Sequence, residues 1–173
     1  MMFDKKITLD ALCSIAPDVL QLYMEACKVT PQNPQWHPEG AREAVPHNVY
    51  AHTKIVFDRA REHGDPELMM AAFFHDLGKS GTTIPNKNGS WSSPGHEDVS
   101  AKLVMRYRDW IEDMDLDASK VYHVVKDHMR IKHEDEMRPG KRLEMQSGKY
   151  YDDLRTFTGF DDMSEFADKS EGD

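Results

Sequence analysis

Six ionisable side chains lie at positions where helical spacing predicts buried apolar residues. They are four histidines and two aspartates: His52, His75, Asp76, His96, His128 and Asp161. A buried imidazole or carboxylate without a partner costs several kcal/mol, so each of these groups needs a partner. A divalent metal ion satisfies both groups, since it binds imidazole nitrogen at about 2.1 Å and carboxylate oxygen at about 2.0–2.2 Å. The pattern favours a metal centre; a metal-free buried pair of His75 and Asp76 is the alternative.

The elements that must position these residues are predicted to be helices. Apolar residues recur at helical spacing, separated by segments rich in proline and glycine. The predicted helices cover residues 18–29, 46–62, 66–77 and 96–110, a segment that begins at Asp117 and reaches His128, and residues 149–166. Residues 80–94 form a predicted polar loop, and residues 131–147 a charged, irregular segment. No strand pattern is visible. The sequence therefore predicts an all-α, bundle-like domain.

His96 and His128 lie on predicted apolar faces near helix ends. His96 shares its face with Val99 and Leu103, and His128 completes the stripe that contains Val125. For both histidines, a polar residue without any ligand role is the alternative.

Asp161 continues the apolar face of the last predicted helix. It lies seven residues after Leu154 and four after Phe157, which places all three on one side of a helix. We therefore prefer Asp161 as the last ligand. The competing candidates nearby are Asp152, Asp153 and Asp162.

The motifs around these residues resemble the HD superfamily of metal-dependent phosphohydrolases. That family has a helix-borne His, a His-Asp pair and a distant Asp, as in His52, His75-Asp76 and Asp161; FFHDLGK at 73–79 matches closely. The resemblance implies an HD-domain helical bundle that binds one or two divalent ions (Mn, Ni, Co, Mg, Zn or Fe). In the binuclear branch, His96 and His128 would complete the ligands, and Asp76 would bridge both metals. Asp76 and Lys79 are the implied catalytic residues.

A narrower resemblance is to the HD domain of bacterial tRNA nucleotidyltransferases. It rests on WHPEG at 36–40, HT at 52–53, HDLGK at 75–79, GHE at 95–97 and DHMRIKH at 127–133. The resemblance implies hydrolysis of phosphate esters, including 2′,3′-cyclic phosphates and 2′-nucleotides, with a small nucleotide or an RNA 3′ end as substrate. The sequence contains none of that enzyme's nucleotidyltransferase head, so CCA addition is not expected.

Four further residues are candidates for contact with the substrate. Lys79, just beyond the predicted helix, would neutralise phosphate charge; a lysine favoured only by the helix dipole is the alternative. Arg130 follows His128 by two residues and has the same candidate role. Trp91 in the predicted loop is a candidate for stacking on a base, and His37 precedes the first ligand.

Two other functions stay open at the level of sequence. The same six ligands are those of the mixed-valent di-iron oxygenases of the HD superfamily, such as inositol oxygenase. A non-catalytic module that binds metal and nucleotide is the second alternative, although the complete ligand set and Lys79 argue against it.

The composition limits the partners of the chain. The 173 residues suit one HD domain at 36–166, with an N-terminal helical extension at 1–35 and an acidic tail at 167–173. The net charge is −9, and residues 150–173 carry eight acidic and two basic residues. This excess disfavours coating of duplex DNA but is compatible with a nucleotide or one RNA end. No membrane span or signal-peptide pattern is visible, so we expect a cytoplasmic protein without membrane contact.

Overall fold

The computed structural model describes residues 2–28, 49–88 and 91–164, and most of them are helical. In chain order the helices are α1 (Leu9–Ile15), α2 (Pro17–Lys28), α3 (Val49–His63), α4 (Pro66–Phe74), α5 (His96–Arg106), α6 (Arg108–Asp113), α7 (Ala118–Asp127), α8 (Pro139–Gln146) and α9 (Tyr151–Asp161). Two 3-10 helices span Leu77–Gly81 and Arg130–Glu136. The predicted all-α bundle is confirmed. Among the described residues, no helix is both long and apolar enough to cross a membrane.

Helix α4 lies at the centre of the bundle. Every residue from Leu68 to Phe74 is buried, and this run, LMMAAFF, contains no polar residue. A helix that is apolar all round is stable only when other elements surround it. Helices α3, α7 and α9 pack against α4 and contribute Val56, Val125 and Phe157 to the core. The end of α4 that leads into His75 is therefore inside the protein.

The N-terminal helices pack on the same core. Helices α1 and α2 contact α3, and α2 also contacts the 3-10 helix Leu77–Gly81. Leu12 and Tyr23 are fully buried, and the Tyr23 hydroxyl donates a hydrogen bond to the backbone carbonyl of Phe73. The helical character predicted for residues 1–35 is thus present at 9–28. The predicted boundary at residue 35 lies outside the described residues and stays a prediction.

The described residues contain one short strand pair that no strand pattern in the sequence reveals, and the all-α class holds. Inside the predicted loop, β1 (Ile84–Pro85) pairs antiparallel with β2 (Trp91–Ser92), and Ile84 lies opposite Ser92. Strands of two residues are too short to produce the alternating pattern by which strands are recognised in a sequence.

Several predicted helix limits are also wrong. The helix predicted through Leu77 ends at Phe74, because Asp76 has a backbone (φ −111°, ψ 3°) outside the helical range. The helix predicted at 96–110 is interrupted at Tyr107, where α5 ends and α6 begins. The segment predicted to be irregular contains α8, which starts at Pro139, a residue favoured at the first helical position. The last helix ends at Asp161.

The buried face of α5 is shifted by one residue from the predicted face. His96, Ser100 and Val104 are buried at a spacing of four, whereas Val99 is exposed. Ser100 on this buried face accepts a hydrogen bond at 2.8 Å from the Gly78 N–H of the neighbouring 3-10 helix. His96 nevertheless stays on the buried side.

Candidate metal centre

The structure brings all six predicted ligands together at the end of α4. His75 and Asp76 follow α4 directly, His52 comes from α3, His96 begins α5, His128 follows α7, and Asp161 is the last residue of α9. Five of the six are buried, and the His52 side chain is 16% exposed. Three helices and the segments that follow two others, spread over 110 residues, thus converge on one polar cluster inside an apolar bundle.

Asp76 lies at the centre of this cluster, with each carboxylate oxygen facing a different pair of histidines. Its Oδ2 lies 3.3 Å from His52 Nε2 and 3.2 Å from His75 Nε2. Its Oδ1 lies 3.1 Å from His96 Nε2 and 3.8 Å from His128 Nε2. The carboxylate therefore joins two ligand groups.

The first ligand group consists of His52, His75 and Asp161, together with Oδ2 of Asp76. Asp161 Oδ1 lies 2.8 Å from His52 Nε2 and 3.3 Å from His75 Nε2, and the two nitrogens are 3.2 Å apart. Ligands bound at about 2.1 Å are separated by about 3.0 Å in octahedral and about 3.4 Å in tetrahedral geometry. The donor atoms thus have the spacing that one divalent ion requires.

The second ligand group consists of His96, His128 and Oδ1 of Asp76. The two Nε2 atoms are 3.3 Å apart, again a spacing that suits one ion. This group offers three protein donors among the described residues. A metal with three protein ligands keeps coordination positions for water or substrate, which is the arrangement of catalytic rather than structural sites.

Backbone carbonyls orient three of the four imidazoles. His75 Nδ1 lies 2.7 Å from the Ala72 oxygen and His96 Nδ1 lies 2.9 Å from the Ser93 oxygen; His128 Nδ1 contacts Val125 in the same way. Because a carbonyl oxygen only accepts, Nδ1 must carry the proton in each case. This fixes the tautomer and leaves Nε2, the atom that could bind a metal, facing the cluster, as hydrogen bonds to the outer nitrogen of metal-binding histidines generally do.

The pKa values indicate how the cluster is charged without a metal. Burial opposes a charge on His75, but the adjacent Asp76 and Asp161 outweigh it and raise the pKa of His75 to about 10. Burial likewise opposes the charge on Asp76, yet His75 and Lys79 hold the pKa of Asp76 well below its usual range. Burial lowers the pKa of His128. A proton on His75 therefore takes the place of part of the positive charge that a metal would bring.

A close backbone approach sets the position of His96. Gly78 donates its N–H to the Ser100 hydroxyl at 2.8 Å, and a Cβ at Gly78 would lie only 2.2 Å from the His96 carbonyl oxygen. The first turn of α5 can lie this close to the 3-10 helix only because residue 78 is glycine. Gly78 thus allows the start of α5, and with it His96, to reach Asp76.

Two of the four predicted substrate contacts lie beside the cluster. Lys79 Nζ is 3.5 Å from Asp76 Oδ2, and its side chain is 32% exposed. Lys79 and Arg130 line a cleft of about 700 Å³ that also reaches His96; we call it the Lys79 cleft. Trp91 belongs to β2, but its side chain, like His37, lies outside the described residues, so both roles stay predictions.

Two residues near the cluster were not predicted from the sequence. Lys132 Nζ lies 2.9 Å from Asp161 Oδ2, and Arg59 binds the backbone on both sides of Asp161. Lys132 follows His128 by four residues, a helical spacing that the predicted irregular segment concealed. Arg59 lies seven residues after His52 on α3, two turns along the same face. These spacings are the signals that could have identified them.

The comparison with protein families agrees with this geometry. Residues 49–153, more than half of the chain, match the HD domain, and the chain belongs to this family. HD-domain proteins are generally metal-dependent phosphohydrolases. No curated protein and no solved structure matches the chain.

Proposed function

We propose that this protein is a phosphohydrolase that uses two divalent metal ions to hydrolyse a phosphoester of a nucleotide or of an RNA end. The observation that carries the proposal is the position of Asp76, whose two oxygens each face a different pair of histidines. A carboxylate in this position can bridge two ions, and the other ligands complete one site on each side. Paired metal sites of this kind hold both oxygens of an in-line displacement at phosphorus.

The six proposed ligands form two groups, one for each metal ion. His52, His75 and Asp161 would hold one ion and His96 and His128 the other, with Asp76 between them. When bound, the metals supply an activated water and Lewis acidity. The chain itself supplies the buried pocket that limits access of bulk water and the fixed imidazole tautomers described above.

Lys79 is proposed to neutralise charge on the phosphoryl group. Its Nζ lies 3.5 Å from Asp76 Oδ2, and its side chain is 32% exposed and lines the Lys79 cleft, where it could contact an anionic substrate. A charge-assisted hydrogen bond to a phosphate oxygen contributes about 1.5–3 kcal/mol. Arg130, exposed at the wall of the same cleft, is proposed to bind a more distant part of the substrate.

The Lys79 cleft supports a nucleotide-sized substrate. Its volume of about 700 Å³ lies within the range of pockets that hold small ligands. The wall carries basic side chains that suit a phosphate, and acidic side chains as well: Lys79, Lys126, Arg130 and His133 on one hand, and Glu97, Asp98 and Asp127 on the other. The family comparison supports the HD domain alone, so 2′,3′-cyclic phosphates and 2′-nucleotides are proposed only from the sequence resemblance to the HD domain of tRNA nucleotidyltransferases. Within this proposal, Trp91 stacks on a base and His37 contacts the substrate.

A di-iron oxygenase is the second candidate, and the complete six-ligand set is the observation that favours it. Four imidazoles and two carboxylates suit iron as well as manganese or cobalt. The two candidates differ in what the purified protein does with oxygen, so one set of assays separates them.

The test begins with the metal content of the purified protein. Hydrolysis is then measured for 2′,3′-cyclic AMP as opening of the ring to a monophosphate, and for 2′-AMP, an aryl phosphate and deoxynucleoside triphosphates as release of the phosphate group or chain, each with Mn²⁺, Ni²⁺, Co²⁺ or Mg²⁺. We expect hydrolysis of at least one nucleotide. Chelation of the metal should abolish this hydrolysis, and added metal should restore it. Bound iron with consumption of oxygen would replace this proposal by the oxygenase. Metal binding without turnover of any substrate would favour the binding module.

A further inference from the structure

Two cations outside the ligand groups bind Asp161 and its backbone. Lys132 Nζ lies 2.9 Å from Asp161 Oδ2, the oxygen that does not face His52 and His75. Arg59 donates from Nη1 to the carbonyl oxygens of Phe160 at 2.9 Å and Asp162 at 2.8 Å, one residue before and one after Asp161. One cation therefore holds the side chain, and the other holds the backbone that carries it.

The position of Asp161 explains why such contacts are needed. Asp161 is the last residue of α9, where backbone carbonyls lack helical partners and the helix end frays. The helix dipole also places partial negative charge at this end, which disfavours a carboxylate. Arg59 satisfies carbonyls of this terminus and adds positive charge there, as cations at a helix C-terminus do.

Lys132 controls which oxygen of Asp161 is presented to the histidines. A carboxylate that binds a metal through one oxygen can rotate about its last bond unless the other oxygen is held. The Asp161 side chain is 4% exposed, so water cannot hold that oxygen well, whereas Lys132 reaches it from a side chain that is 39% exposed. The lysine also lies on the wall of a second cleft of about 680 Å³, which Asp161 and Arg155 share.

We propose that Arg59 and Lys132 are positioning residues that together hold Asp161 as a monodentate ligand, which offers only its Oδ1 to the first ligand group. This inference rests on the proposed metal centre. A lysine so close to a metal site has two opposing effects: it orients the carboxylate, and it repels the cation. We expect the orientation effect to dominate, because Asp161 is the last residue of α9 and its Oδ2 could turn toward the histidines if Lys132 did not bind it.

The test uses metal binding rather than activity as its readout. Mn²⁺ and Co²⁺ are titrated calorimetrically into the full chain, and the Co²⁺ absorption spectrum reports the coordination of each site. Lys132→Met and Arg59→Met are compared with the conservative Lys132→Arg. Lys102→Met, an exposed lysine on α5, is the control for the same change in net charge. Circular dichroism verifies that each variant is folded at the titration temperature.

We expect Lys132→Met to weaken binding at one of two sites by about 10- to 100-fold, the usual effect of removing a partner of a metal ligand. Lys132→Arg should restore most of the affinity, Arg59→Met should weaken the same site, and Lys102→Met should bind like the wild type. Equal or tighter binding by Lys132→Met would overturn the positioning role while leaving the proposed function intact. A wild-type protein that binds no metal would instead overturn the metal centre itself.

Should Arg59→Met not fold, Arg59→Lys takes its place, because it keeps the charge but cannot direct donors to two carbonyls from one planar group. Weakened binding of the same site supports the inference, and unchanged affinity overturns the part assigned to Arg59.

Discussion

Replacing Gly78 by alanine inserts a methyl group where α5 approaches the 3-10 helix Leu77–Gly81. The new Cβ would lie 2.2 Å from the His96 carbonyl oxygen and 2.8 Å from both the backbone nitrogen and the hydroxyl of Ser100. Real Cβ atoms essentially never approach other heavy atoms within 3.0 Å, so the start of α5 must move by about 0.8 Å. The movement takes His96 away from Asp76.

The cost of Gly78→Ala follows from what the methyl group meets. Overpacking of a rigid interior costs about 1–3 kcal/mol, and here two of the three nearest atoms are backbone, which cannot turn aside. We therefore expect the free energy of unfolding to fall by about 3 kcal/mol. For a chain of this length that lowers Tm by about 6–12 °C.

Gly81→Ala is the matched control, because it makes the same substitution in the same 3-10 helix with no atom within 4 Å of the new Cβ. Its Tm should stay within about 2 °C of the wild type. Thermal unfolding by circular dichroism gives both values, and metal titration of the folded variants should show a weaker second ligand group for Gly78→Ala alone. Equal Tm values for the two variants would refute the reasoning.

The remaining predictions concern the ligands and the charges around them. Asp161→Asn should lose one metal per chain, whereas Asp162→Asn, at an exposed neighbour, should keep both. The metal content of dialysed protein, measured by inductively coupled plasma emission spectroscopy, distinguishes these outcomes. The reverse result would assign the ligand role to Asp162. Lys79→Met should retain metal but lower kcat/KM for the best phosphoester about 10- to 100-fold, and an unchanged value would remove Lys79 from catalysis. Because the metal-free pKa of His75 is about 10, metal binding at pH 7.5 should release at least one proton, seen as a dependence of calorimetric heat on buffer ionisation; no such dependence would contradict the assigned protonation. Because the pKa of His75 is raised, protonation of His75 stabilises the protein without bound metal, and this stabilisation is complete below about pH 6.5. The Tm of the protein without metal should therefore fall as the pH rises toward 10. A Tm that rises over this range would contradict the raised pKa.

The candidate site was largely predictable from the sequence because a buried charge interrupts an apolar stripe. Asp161 follows Leu154 and Phe157 at helical spacing, and the structure buries all three. The same argument identified His52 between valines on α3. Such interruptions are visible in one sequence because few charged residues occupy core positions.

The local geometry around the His-Asp pair was not predictable in the same way. Periodicity placed His75 and Asp76 within one helix, whereas the structure ends α4 at Phe74 and gives Asp76 a non-helical backbone. The helical pattern of the sequence continues beyond Phe74, although the helical backbone of α4 ends there. Tertiary packing rather than helix propensity therefore determines where α4 ends.

The supporting cations escaped prediction for a different reason. Arg59 and Lys132 are partly exposed, and an exposed charged residue on a helix normally indicates only a solvated face. Its helical spacing from His128 is the one sequence signal for Lys132, and this spacing does not reveal its partner, because Asp161 lies 29 residues away. Their roles become visible only when the end of α9 is placed against α3.

The central claim, that Asp76 bridges two metal ions, is tested most directly by anomalous diffraction from crystals loaded with Mn²⁺. We expect two anomalous peaks, one among His52, His75 and Asp161 and one beside His96 and His128, with one oxygen of Asp76 toward each. A single peak, or a pair of peaks that do not share Asp76, would contradict it.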